Sequence, residues 1–150
     1  MDNVSAISCF ANFSLLLTSQ GKVLGMGSNS KGRITGDPSV EHVQQPTLVK
    51  DLRDIVKVRA GYFHSLAIDA SGQVYSCGGT NKGELGRQSQ SAAWTKVDSD
   101  ETYTDIAAGL GVSFLLSTTK KLYACGKQSL TFNKTTVPKS LKFFKEIQVT

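Results

Sequence analysis

The chain has 150 residues, 39% of them apolar and 19% charged, a balance that excludes bulk disorder. Its net charge of +5 is uneven: residues 1–105 hold 10 Lys and Arg against 11 Asp and Glu, while residues 106–150 hold 7 against 1. No apolar run reaches the length of a membrane-spanning helix, and three cysteines cannot all pair, which fits small buried thiols in a reducing compartment rather than a disulfide framework.

Residues 4–17 are apolar enough to imitate a signal peptide, but Asp2 stands where a basic region belongs and no small-residue cleavage site follows. They read instead as strands, and without secretion the sequons N-V-S, N-F-S and N-K-T carry no glycan. F-S-L-L-L-T (13–18), then S-Q-G-K, then K-V-L-G-M-G (22–27) reads as a hairpin closed by a short Gly-containing turn. A glycine-punctuated loop (27–33) and a long connection (35–45) lead to Pro46 and a further short strand. I-V-K-V-R (55–59) opens the next unit, whose hairpin is H-S-L-A-I-D (64–69), A-S-G-Q and Q-V-Y-S-C-G (73–78). The loop G-T-N-K-G-E-L-G (79–86) and the connection 87–95 follow, with Trp94 in the place of Pro46. In the third unit the turn T-T-K-K has no glycine, which predicts a looser hairpin or another turn type. Pro138 marks its last strand, and F-K-E-I-Q-V-T (144–150) resembles 55–59, the lead into another copy.

These units are one repeat. At an offset of 51, Ser14, Gly21, Val23, Gly27 and Gly32 meet Ser65, Gly72, Val74, Gly78 and Gly83; at 48, Gly61, Ser65, Tyr75, Cys77 and Gly78 meet Gly109, Ser113, Tyr123, Cys125 and Gly126. About four short strands per 50 residues, without helical periodicity, predicts an all-β partial propeller of about three four-stranded blades. The blades fall at 4–54, 55–105 and 106–146, with the start of a further repeat at 147–150. The glycines around the second hairpin strand fit strands that approach closely.

A-G-Y-F-H-S-L-A-I-D-A-S-G-Q-V-Y-S-C-G-G-T-N-K-G-E-L-G (60–86) resembles one repeat of the regulator of chromosome condensation family, whose pattern is A-G-x-x-H-S-L-A-L followed by D-G-x-V-Y-x-W-G-x-N-x-x-G-Q-L-G. The first copy departs at C-F-A-N-F-S and K-G-R-I-T-G, and the third has Q-S-L-T-F-N-K in place of the closing segment. The resemblance implies a β-propeller, typically of seven blades, so a 150-residue chain is expected to be a fragment or an open arc with strand edges available for self-association.

No catalytic set is present. His64 reads as a tie between strands or blades, His42 has no carboxylate or cysteine at a useful spacing, the glycine loops lack the G-K-[ST] ending of a phosphate loop, and no serine sits in G-x-S-x-G. The chain is therefore expected to be a non-enzyme that needs no cofactor or metal. Propellers display recognition residues on inter-strand loops, which makes Lys31, Arg33, Lys82, Glu84 and Trp94 the candidate binding surface. Packing and solvation are the alternative for each: Trp94 against its blade, the charged four in water. The expected function is a protein-interaction scaffold in the cytoplasm or nucleus. The resemblance offers two alternatives: nucleotide exchange on a Ran-like small GTPase, the activity of the family's founding member, or the propeller portion of a larger protein such as a ubiquitin ligase. The lysines of the last third leave chromatin or nucleic acid as a weaker partner, against the reading of a solvated outer face. No membrane partner is expected.

Overall fold

Each repeat lays down four strands. The computed structural model describes residues 3–89, 91–126 and 145–147. The first unit contributes β1 (Val4–Phe10), β2 (Phe13–Thr18), β3 (Val23–Ser28) and β4 (His42–Leu48). The second contributes β5 (Ile55–Ala60), β6 (His64–Asp69), β7 (Val74–Gly78) and β8 (Thr95–Lys96). The third contributes β9 (Tyr103–Ala108), β10 (Val112–Ser117), β11 (Leu122–Gly126) and β12 (Lys145–Ile147). Each set forms one antiparallel sheet with its strands in chain order, the blade of a propeller.

The core lies between the blades. Phe13, Leu15, Leu17, Val23 and Ile34 of the first blade pack on Val58, Ala67 and Cys77 of the second. Leu66, Ile68 and Val74 of the second pack on Ile106, Leu115 and Tyr123 of the third. Burial along the second strand of each blade records the stacking: β2 and β10 alternate, covered on one face, whereas β6 is buried over five successive residues because the middle blade is covered on both. The first strands are also tied across blades, with Ser8 Oγ accepting from Ala60 N at 2.9 Å and Lys57 Nζ 3.2 Å from Asp105 Oδ1.

One expectation needs correction. The third hairpin turn is the same turn as the others: the amides of Gly21, Gly72 and Lys120 donate to the carbonyls of Thr18, Asp69 and Ser117 at 3.0 Å each. Lys120 adopts φ 68 where the glycines have φ 73 and 83, so the register of the sheet overrides the residue's own preference. The segment 145–147 pairs with β11 as the fourth strand of the third sheet. The third sheet begins at Tyr103.

Pro46 falls inside β4, an outermost strand where a missing amide costs no ladder bond. Gly27, Gly78 and Gly126 stand at or one residue before the ends of their third strands at φ 105–115, and a Cβ there would lie 2.2–2.4 Å from the carbonyl oxygens of Asn12, Phe63 and Gly111. Lys127, Lys134, Lys139, Lys142 and Pro138 lie outside the described residues, as does the side chain of Lys145.

Candidate interaction surface

The tips joining the first two strands of each blade and the loops joining the last two emerge at one end of the sheets. The tips carry Phe10, Tyr62, Phe63 and Leu110, with Tyr62 edge-on to Phe10 at 6.0 Å and to Phe63 at 4.3 Å between ring centroids. Tyr62 is 36% and Leu110 57% exposed. Beside them stand the loops 29–41 and 79–94, with Lys31 and Lys82 exposed.

The loops are held from within. Asn29 is fully buried; its Oδ1 accepts from the amides of Ile34 (2.8 Å) and Thr35 (3.0 Å), and its Nδ2 donates to Thr35 Oγ1, Asp37 O and Val40 O at 2.7–2.8 Å. In the second loop Arg87 does this work, donating to Ser76 Oγ at 3.1 Å and to the carbonyls of Ser89, Ser91 and Ala93 at 2.7–2.9 Å. Neither residue stands out in the sequence as functional; a buried arginine shows itself only through the carbonyls that surround it.

Of the five expected surface residues, Lys31 and Lys82 are exposed, whereas Arg33, Glu84 and Trp94 are buried and are withdrawn from the binding surface. Arg33 lies over the Phe13 ring at 4.5 Å and donates to Ser28 O at 2.9 Å, Asn12 Oδ1 at 2.6 Å and the Tyr62 carbonyl. Glu84 turns its carboxylate inward to accept the Lys82 amide at 2.7 Å. Trp94 donates from Nε1 to Ile34 O at 2.8 Å, so it anchors the second blade on the first. The physical reason is common to all three: each spends polar atoms of its side chain on partners inside the protein, and a binding partner would have to break those bonds.

The junctions between blades repeat one arrangement. Ser65 Oγ and Cys77 Sγ of the second blade both donate to Arg33 O, at 2.6 and 3.3 Å. One blade on, Ser113 Oγ and Cys125 Sγ donate to Glu84 O, at 2.6 and 3.4 Å. His64 joins the second junction, its Nε2 2.8 Å from Ser113 Oγ. Since Ser113 spends its own proton on Glu84 O, His64 must donate from Nε2. Its Nδ1 is buried without a hydrogen-bond partner among the described residues. The ring rests on Gly61, where a Cβ would sit 2.4 Å from Cε1, which explains the glycine three residues before the histidine. Burial lowers the His64 pKa to about 4, against a smaller opposing effect of the Val112 backbone. Burial likewise pushes the Cys77 and Cys125 thiols up, which keeps them protonated and unreactive.

His42, in contrast, lies on the outermost strand of the first blade, exposed and distant in sequence from His64. Among the described residues no three His, Cys, Asp or Glu side chains gather as metal ligands, and no helix is long and apolar enough to cross a membrane.

Comparison with known proteins bears on this arrangement. The profile of the regulator of chromosome condensation (RCC1) repeat matches residues 4–33 and 55–84, and a second profile of the same description matches 20–68. The chain is 31% identical over 130 residues to Protein RCC2 homolog of Xenopus laevis, covering 83% of this chain and 25% of that protein. It is 42% identical over 85 residues to human E3 ubiquitin-protein ligase HERC2, covering 55% of this chain and 2% of that one. A crystal structure of yeast RCC1 (Prp20) bound to Kap60 superposes over 99% of this chain and 37% of its own with a TM-score of 0.82, at 20% identity. The chain thus spans a quarter or less of these curated relatives.

Proposed function

The chain belongs to the regulator of chromosome condensation repeat family, and from that premise we propose that it is a non-enzymatic interaction scaffold that takes a protein partner on its loop end. The observation that carries this reading is the contrast within the loops. Asn29, Arg33, Glu84 and Arg87 are buried and hydrogen-bonded within the protein, while Lys31, Lys82, Tyr62 and Leu110 stand outside on that support. A preorganised surface with aromatic and aliphatic tips and flanking lysines recognises a partner without losing loop entropy on binding. His64, Cys77 and Cys125, the groups with nucleophilic or acid–base character, are sealed in the junctions, which favours recognition over chemistry. The cytoplasm or nucleus, where such thiols stay reduced, is the compartment we assign.

The test is photo-crosslinking in cells from a diazirine amino acid placed singly at Lys31, Lys82, Lys50 or Lys120. Adducts to one common polypeptide are expected from the first two positions, which lie on the loop end, and not from the last two, on the opposite end. Adducts from Lys50 or Lys120 alone would refute the assignment. The HERC2 match supports a second reading, that the chain is the propeller portion of a larger ubiquitin ligase. Exchange on a Ran-like GTPase is separated from both by a nucleotide-release assay, in which a scaffold leaves the rate unchanged.

A further inference from the structure

Arg87 is a buried cation without a carboxylate against it. Among the described residues the ion pairs are those of Lys57 and Arg59 with Asp105, and Arg87 belongs to none. Burial lowers its pKa, against smaller opposing effects of Cys77 and Asp98. Its hydrogens are unevenly used. Nε donates to Ser76 Oγ at 3.1 Å, and Nη2 divides its two hydrogens among Ser91 O at 2.7 Å, Ala93 O at 2.9 Å and Ser76 O at 3.4 Å. Nη1 donates once, to Ser89 O at 2.9 Å, and its second hydrogen has no acceptor among the described residues. The loop over this guanidinium is uncharged and open. Residues 85–97 contain no Asp or Glu, and Gln88, Ser89 and Ser91 are exposed. Ser89 Oγ also accepts the Ser91 amide at 3.3 Å, so a backbone donor already points at it.

We propose that Ser89 is a phosphorylation site, with Arg87 as the internal counter-charge that receives the phosphate. The Oγ–P bond forms as the bond between the γ-phosphorus of a nucleoside triphosphate and its bridging oxygen breaks; the diphosphate leaves, and the serine proton passes to the base of a protein kinase. The product carries about two negative charges and three strong acceptor oxygens two residues from a guanidinium with a hydrogen to give. Ser91 is the poorer acceptor, because the Nη2 that holds its carbonyl has no hydrogen left and its own Oγ takes the Ala93 amide at 3.2 Å. Arg87 is too deeply buried for a kinase to read, so the enzyme class is one directed by the uncharged flank Q-S-Q (88–90). The modification gives the loop beside Lys82 an ionic anchor that the unmodified chain lacks. It requires only Ser89 and Arg87, neither of which belongs to the surface assigned to partners above, so its failure would leave that reading standing.

The test has a cellular and a physical arm. The full chain is recovered from eukaryotic cells with phosphatases inhibited and digested with trypsin, and the peptide 88–96 is expected to carry phosphate on Ser89. An unmodified peptide, or phosphate confined to Ser91 or Thr95, would overturn the assignment. In the second arm phosphoserine is installed genetically at position 89 of the full chain and its phosphate is titrated by phosphorus NMR. Arg87 is expected to lower the second phosphate pKa from about 6 to about 5, and urea to restore the ordinary value. Arg87→Met should abolish the shift while Cys77 stays protected from a thiol reagent. If reactive Cys77 shows that this variant has not folded, phosphoserine at position 39 decides. Ser39 is exposed too, but its Oγ donates to Asp37 Oδ1 at 2.7 Å, so a phosphate there should titrate at about 6 or above. A phosphate on Ser89 that titrates with the one on Ser39, or alike in the folded and unfolded chain, would show that Arg87 does not receive it, and the proposal fails.

Discussion

Residues 33 and 84 occupy one position in successive repeats and carry opposite charges, yet both are buried. What the position contributes to each junction is its carbonyl, and the side chain is free to differ so long as it finds partners inside. Charge therefore misled: from sequence, Arg33 and Glu84 read as solvated or partner-facing, because a loop arginine announces its charge and not the carbonyls that enclose it. The equivalence of Cys77 and Cys125 was legible, and with it their burial, since two small apolar thiols at one repeat position imply one packed environment. Arg33→Met should lower stability by about 2–3 kcal/mol by urea unfolding, and Arg33→Lys should recover little of it, because a point-charged ammonium cannot reach three acceptors. His64 makes a pH prediction. Its folded pKa of about 4 lies below the ordinary 6.5, so the unfolded chain binds the extra proton between those values. Stability is full above pH 6.5 and falls as pH drops towards 4, by at most about 1.4 kcal/mol per unit. His64→Gln should flatten that limb. The lowered carboxyls of Asp69 and Asp105, held by hydrogen bonds that oppose their burial, give up their contribution only below the usual carboxylate range and leave it unchanged.

At the scale of the element, the hairpins were readable from alternation and turn glycines, and the fourth strands in place, by Pro46 and Trp94, but not in length. β4 spans seven residues and β8 two, because an outermost strand packs on one neighbour only and its length is set by the loop that precedes it, not by its own apolar pattern. The third turn shows the opposite case, in which two strands in register impose a left-handed residue on a lysine. Lys120→Gly should raise stability by up to about 1 kcal/mol by relieving that backbone. Gly72→Lys, at φ 83 and with a Cβ position 2.9 Å from Thr102 Cβ, should lower it by more, and thermal melts of the two variants would check both signs.

For the molecule as a whole, the repeat period carried the architecture, because a blade that cannot bury its own faces must stack. The basic excess of the last third lies largely outside the described residues, and the described residues are nearly balanced in charge. Stability resides in two separate junctions rather than in one common core. Three cysteines, one per blade, measure it in a single experiment, the rate at which each thiol of the native chain is labelled. Cys9 should react at once, and Cys77 and Cys125 only through opening of the first and second junctions. Ser113→Ala, which removes the bonds to Glu84 and His64 and costs about 1–3 kcal/mol, should accelerate Cys125 by tenfold or more and leave Cys77 nearly unchanged. Equal acceleration of Cys77 and Cys125 would contradict the account, since it would mean that the blades open as one body.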